Sequence, residues 1–119
     1  MEKADLSYLR TMSDGNEELI LEMIDIFIDQ VKEMWVEMQD SLEKNEIDTL
    51  GKLAHKAKSS LAILGMHSTA QILKDLELYC NENIKHELYQ DIINNFKSDC
   101  LLAIDELLAY KKDHSAENN

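Results

Sequence analysis

Apolar residues recur along this chain at gaps of three and four, the period of α-helices that each bury one face. Over residues 17–43, Ile20, Ile24, Phe27, Val31, Met34 and Met38 form one such stripe. Leu21, Ile28, Trp35 and Leu42 form a second, so this long helix is expected to pack against more than one neighbour. Ahead of it, Leu6, Tyr8, Leu9 and Met12 predict a short helix over residues 4–12, closed by Ser13-Asp14-Gly15-Asn16. Asn16 or Asp14 is placed to cap the long helix, and Glu17 and Glu18 suit its first turn. A third helix is predicted from about Asp48, as its cap, to about Leu64, with Leu50, Leu53, Ala54, Ala57, Leu61 and Leu64 facing the core. Gly65 is placed to end it in the left-handed conformation. Ser68 or Thr69 then starts a fourth helix carrying Ala70, Leu73, Leu76 and Cys80, and Asn81 to Asn83 form a polar turn. The fifth runs over about 85–111, with Tyr89, Ile93, Phe96, Cys100, Ala103, Leu107 and Tyr110 on one face. No strand-period alternation competes. The expected fold is all-α: an antiparallel up-down four-helix bundle with a short additional N-terminal helix, a single domain over residues 1–112, followed by a polar tail over 113–119 that frays.

Composition narrows this picture. The 119 residues contain no proline and three glycines, which suits long unbroken helices. The net charge of -12 argues against nucleic acid, whose phosphates it would repel. Cys80 and Cys100 make neither a disulfide framework nor a CxxC pair, and both are expected to be reduced core residues. The first ten residues lack a signal-peptide apolar run, and no stretch approaches the roughly 20 apolar residues that span a bilayer. A cytoplasmic, membrane-free protein is expected, acting as a monomer. Histidines and cysteines are too scattered for a metal site.

The third helix carries the candidate chemistry. With its apolar face centred on Ala57, Leu50, Leu53, Leu61 and Leu64 fall within about 40°, and His55 lies about 160° away, pointing outward. Gly51, Ser59 and Ala62 share its face and are small, so they would leave the imidazole accessible. Gly51 costs a helix roughly 1 kcal/mol against alanine, so something other than helix stability is expected to keep it small. No acidic residue lies between Asp48 and Asp75, whereas Lys52, Lys56, Lys58 and Lys74 do, a local reversal in a chain with 24 acids and 12 bases. Lys58, three positions after His55, reaches the same surface spot. With Ser59 it could bind a phosphoryl group through an ammonium and a hydroxyl. His67 is expected in a loop near His55, and Trp35 either beside the core or flanking the docking face. Leu9, Met12 and Met66 are candidates for an apolar docking patch.

Leu53-Ala54-His55-Lys56-Ala57-Lys58-Ser59-Ser60-Leu61-Ala62-Ile63-Leu64-Gly65 resembles the signature of histidine-phosphotransfer (HPt) domains. Ala54, His55, Lys58, Ser59, Ser60 and Gly65 match it in order, and Leu73, Leu76 and Glu77 resemble the family's fourth helix. Ala57 stands where leucine is usual, and Ser59 where glycine is usual. The resemblance implies a phosphocarrier rather than an enzyme. His55 would take a phosphoryl group from a receiver-domain aspartate, including one carried by a hybrid sensor histidine kinase, and pass it to another receiver. The chain would need no cofactor, with Mg²⁺ expected on the partner receiver. The alternative is an inactive bundle of the same family type that only docks receivers, a reading that Ser59 would favour by narrowing access.

Overall fold

The computed structural model describes residues 4–117 and is helical throughout apart from short turns. The helices are α1 (Ser7–Met12), α2 (Glu17–Glu43), α3 (Ile47–Ile63), α4 (His67–Glu82) and α5 (His86–Glu117). Around the bundle α2 packs on α3, α3 on α4, α4 on α5 and α5 on α2, and α1 leans on α2. This is the expected antiparallel bundle with a short N-terminal helix.

The turns explain how a chain without proline stops its helices. Asp14, Asn45, Gly65 and Asn83 have φ of 54°, 57°, 76° and 57°. After α3, Gly65 N–H donates to Ala62 O (3.0 Å) and Met66 N–H to Leu61 O (2.9 Å). After α2, Asn45 N–H and Glu46 N–H donate likewise to Leu42 O and Ser41 O. A left-handed residue thereby satisfies carbonyls that the helix end leaves orphaned. Asn and Asp adopt this conformation more readily than other residues with a Cβ. The stops at Asn45 and Asn83 are therefore made without glycine, whereas after α1 Asp14 is followed by Gly15 at φ 73°.

Several boundaries differ from the sequence reading. α1 starts at Ser7, because the Asp5 carboxylate accepts from Ser7 N–H (2.9 Å) and Ser7 Oγ (2.6 Å) while Asp5 N–H donates to Leu64 O (2.7 Å). α3 starts at Ile47, so Asp48 sits in its first turn rather than at the cap. α4 starts at His67, ahead of Ser68 and Thr69, because buried Met66 already accepts from Ala70 N–H. At α2 the expectation holds: the Asn16 side chain accepts from Leu19 N–H at 3.2 Å.

The stretch after Lys112 continues as helix to Glu117 instead of fraying, and residues 118–119 lie outside the described range. His114 stacks on Tyr110 with ring centroids 3.7 Å apart. Arg10 donates to the Tyr110 hydroxyl (2.7 Å), which donates to Glu17 (2.6 Å), so α5 also holds α1 and α2.

The core follows the apolar stripes: Ile20, Ile24, Val31, Met38, Leu50, Ala54, Ala57, Leu61, Leu73, Leu76, Tyr89, Phe96 and Cys100 are all buried. Leu53, Ala70, Trp35 and Tyr110 pack half-buried at its edge. Both thiols are free and buried. Burial pushes both up, Cys100 to about 12, so they act as packing groups. Among the described residues no helix is long and apolar enough to cross a membrane.

Candidate functional site

α3 and α4 approach closely because Gly51 has no side chain. A Cβ there would lie 3.0 Å from Cys80 Cβ. Gly51 is buried, and its smallness serves the helix–helix contact; it also lines an open groove with His55, Glu77 and Asn81, on the side its position on the wheel suggested. The approach has a chemical consequence one turn along. The helices are antiparallel, so one turn forward on α3 meets one turn back on α4. Gly51 faces Cys80 and Asn81, and His55 therefore faces Glu77.

His55 points outward, as its position on the wheel requires, with 63 % of its side chain exposed. It does not stand alone. Its Nδ1 lies 2.5 Å from Glu77 Oε2, and the other carboxylate oxygen, Oε1, lies 2.7 Å from Lys58 Nζ. Glu77 is only 21 % exposed and bridges the two α3 side chains from α4. The Lys58 ammonium, hydrogen-bonded to Glu77, holds its carboxyl below its ordinary value; burial opposes this, and His55 adds to the lowering. Since the folded value lies below the unfolded one, the bridge stabilises the fold above the ordinary carboxylate range. That contribution is lost as pH falls through the lowered value.

An ionised carboxylate can only accept hydrogen bonds. Nδ1 therefore carries the proton in this contact, which leaves Nε2 as the nitrogen that bears the lone pair in the neutral form of the ring. The arrangement is an imidazole oriented by a carboxylate, a geometry suited to a nucleophile. The carboxylate also faces the nitrogen on which positive charge would appear once Nε2 formed a bond.

The other expected site residues divide. Ser59 is exposed and Ala62 half-buried on the same face, as the wheel predicts. Ala54 is buried behind His55, Ser60 is half-buried, and Gly65 ends the helix. Lys52, Lys56 and Lys74 are exposed. Lys58 reaches the same surface spot as His55, where its ammonium is engaged by Glu77 and only a quarter exposed. His67 is the first residue of α4 rather than a loop residue, and lines a groove with Lys58 and Ser59. Trp35 lines a groove between α2 and α5, across the bundle from the α3–α4 edge. Leu9 and Met66 are fully buried and cannot form a docking patch, whereas Met12 is half exposed.

Glu77 is the residue that the reading of His55's surroundings left out. One signal was available: Glu77 lies beside Leu73, Leu76 and Cys80, at the margin of the α4 apolar stripe, where an acid meets the neighbouring helix. Among the described residues no group of three or more His, Cys, Asp or Glu side chains is placed to hold a metal ion.

Glu77 also carries a prediction. Glu77→Ala should reduce the reactivity of His55 Nε2 about 10- to 100-fold, the usual effect of losing a ring-orienting partner. Glu77→Gln, which keeps an acceptor without the charge, should fall between the two. Nitrogen NMR of the His55 ring checks the cause: Glu77→Ala should mix the two tautomers. An unchanged tautomer would remove Glu77 from this role.

A family model described as Hpt domain matches residues 22–111. None of the curated proteins compared matches the chain, and none of the solved structures does. The matched span takes in α3 and α4 entire, with nearly all of α2 and most of α5, so the helices that place His55 opposite Glu77 are those of the family. The chain belongs to the Hpt domain family, the histidine-phosphotransfer modules of phosphorelays.

Proposed function

We propose that His55 accepts a phosphoryl group from the aspartyl phosphate of a receiver domain and hands it to the aspartate of another. The observation that supports this most is the exposed imidazole whose Nδ1 is held by Glu77. Hpt domains as a family are phosphocarriers that interact with the receiver domains of response regulators. In the forward step the Nε2 lone pair attacks phosphorus. The P–O bond to the receiver aspartate breaks, and the departing carboxylate keeps the electron pair. The ring then carries a positive charge, shared toward Nδ1–H, which the Glu77 carboxylate stabilises. In the second step a carboxylate oxygen of the next receiver attacks the same phosphorus, and the N–P electron pair returns to the ring.

The receiver is expected to bring Mg²⁺; this chain contributes the nucleophile, its orientation and a docking surface. Lys58 serves two anions in this reading: it fixes Glu77 in the free protein and offers its remaining N–H groups to the incoming phosphoryl oxygens. Exposed Ser59 stands beside the ring without covering it, so the docking-only alternative gains no steric support in the free protein. The cytoplasm, where such relays run, is the proposed location.

Lys58→Ala should slow transfer about tenfold, the worth of one charge-assisted hydrogen bond, with unchanged helical circular dichroism. A wild-type rate would remove Lys58 from the mechanism. The proposal as a whole is tested with a panel of phosphorylated receiver domains. Acid-labile, base-stable label on the wild-type chain supports a phosphohistidine. No label from any donor, with the chain folded and a working Hpt domain labelled in parallel, would favour docking without transfer.

A further inference from the structure

Immediately beyond His55, toward the C-terminal end of α3, lies an open groove of about 400 Å³ between α3 and α4. Its floor is small, Ser59, Ala62 and Ala70, and its rim is basic, with Lys58, His67 and Lys74. No acidic side chain lines it. Lys58 is tied to Glu77, but Lys74 is exposed and makes no ion pair among the described residues, and exposed His67 has only the nearby charge of Asp5. The chain as a whole has a net charge of -12.

We infer that this groove receives an acidic segment of the receiver domain that exchanges phosphoryl groups with His55, and that Lys74 and His67 select which receiver docks and in which orientation. The inference rests on the phosphotransfer reading above and adds to it a second recognition element on α4.

Two arguments carry it. The first is position. A domain-sized partner covers about 800 Å² of surface, a disc of about 16 Å radius. Ala62 lies seven residues along α3 from His55, about 10 Å. A receiver centred on His55 must therefore cover the groove. The second is charge. Lys74 makes no ion pair among the described residues of a strongly acidic protein, and a partner with acidic side chains there would supply one; His67, which already faces the charge of Asp5, adds a hydrogen-bonding ring to the same rim. A basic or neutral segment would leave Lys74 covered and unpaired, at a cost in affinity. A nucleic acid or an anionic membrane presents negative charge too, but over an area on which the rest of this surface repels it.

The test compares wild type, Lys74→Glu and the double variant His67→Glu/Lys74→Glu. Each is labelled by phosphoramidate, a donor too small to need docking, and by the receiver domain that labels the wild type fastest. Phosphoramidate should label His55 equally in all three. The bimolecular rate from the receiver should fall about tenfold in the double variant at low salt, with a shallower dependence on NaCl. Lys97→Glu, on the α2–α5 edge, controls for net charge and should leave the rate unchanged. Receiver transfer at the wild-type rate in the double variant would overturn the groove while leaving phosphotransfer at His55 standing. An equal loss in Lys97→Glu would also overturn it, by assigning the effect to overall charge. Failure of phosphoramidate and every receiver to label His55 would overturn the underlying reading and the groove with it.

Discussion

Replacing His55 with glutamine is expected to abolish phosphoryl acceptance and to leave the bundle folded. The first half follows from chemistry: a side-chain amide has no nitrogen lone pair able to attack phosphorus, and no other histidine lies on this face of α3. The second follows from exposure. The imidazole is 63 % exposed, its one polar contact is with a carboxylate that Lys58 also holds, and glutamine is a good helix former. A glutamine amide can still donate to Glu77, so the acid is not stranded. Changes at such surface sites stay within about 0.5 kcal/mol. Labelling by a phosphorylated receiver, with circular dichroism on the same sample, reads both halves. Label retained in His55→Gln would place the acceptor elsewhere. Loss of helicity would mean that the imidazole belongs to the packing and not to an open site.

The second large effect is on stability, at a residue remote from the chemistry. Gly65→Ala should destabilise the bundle by about 2–3 kcal/mol, combining the left-handed penalty of roughly 1–2 kcal/mol with loss of a hydrogen bond worth about 1. At φ 76°, an added Cβ would lie 2.5 Å from Asp5 Cβ and 2.9 Å from Asp5 O. The second of these is backbone and cannot swing aside. The N-terminal segment must lift, breaking the Asp5 N–H to Leu64 O bond. For a domain of this size the melting temperature should drop by about 10 °C. Thermal unfolding measures the loss, and hydrogen exchange should show α1 opening first. The informative comparison is Asn45→Ala, at a stop of the same geometry, where only the conformational penalty should appear. Equal losses at the two positions would mean that the approach of Asp5 contributes nothing.

The helices and their faces were legible in the sequence, because the helical period is a local property of the chain. The stripe through Ile20, Ile24, Phe27, Val31, Met34 and Met38 placed α2 correctly, and the wheel centred on Ala57 placed His55 outward, where it is. Asn16 marked a helix start through its side-chain acceptor, and Gly65 a helix end through its backbone preference. Where expectation missed by a residue or two, at Asp48, Ser68 and Lys112, the boundary was set by something the local pattern does not contain. At the start of α4 it was buried Met66 following the Gly65 stop, and near the C-terminus the stacking of His114 on Tyr110.

The surroundings of His55 were decided by the tertiary structure. Glu77 is 22 positions away, and nothing in that spacing says which turn of α4 faces which turn of α3. The register is set where Gly51 lets Cys80 approach, and from there the antiparallel geometry delivers a carboxylate to Nδ1 and to Lys58. The same register turned an apparently all-basic patch into a bridged acid with a basic groove beside it. It also assigned Gly51 to packing and His67 to the groove wall. Sequence alone determined that this chain displays a histidine on a helical bundle. Only the docking of α4 on α3 determined which nitrogen of that histidine bears the lone pair, because a proton's position depends on a partner from another helix.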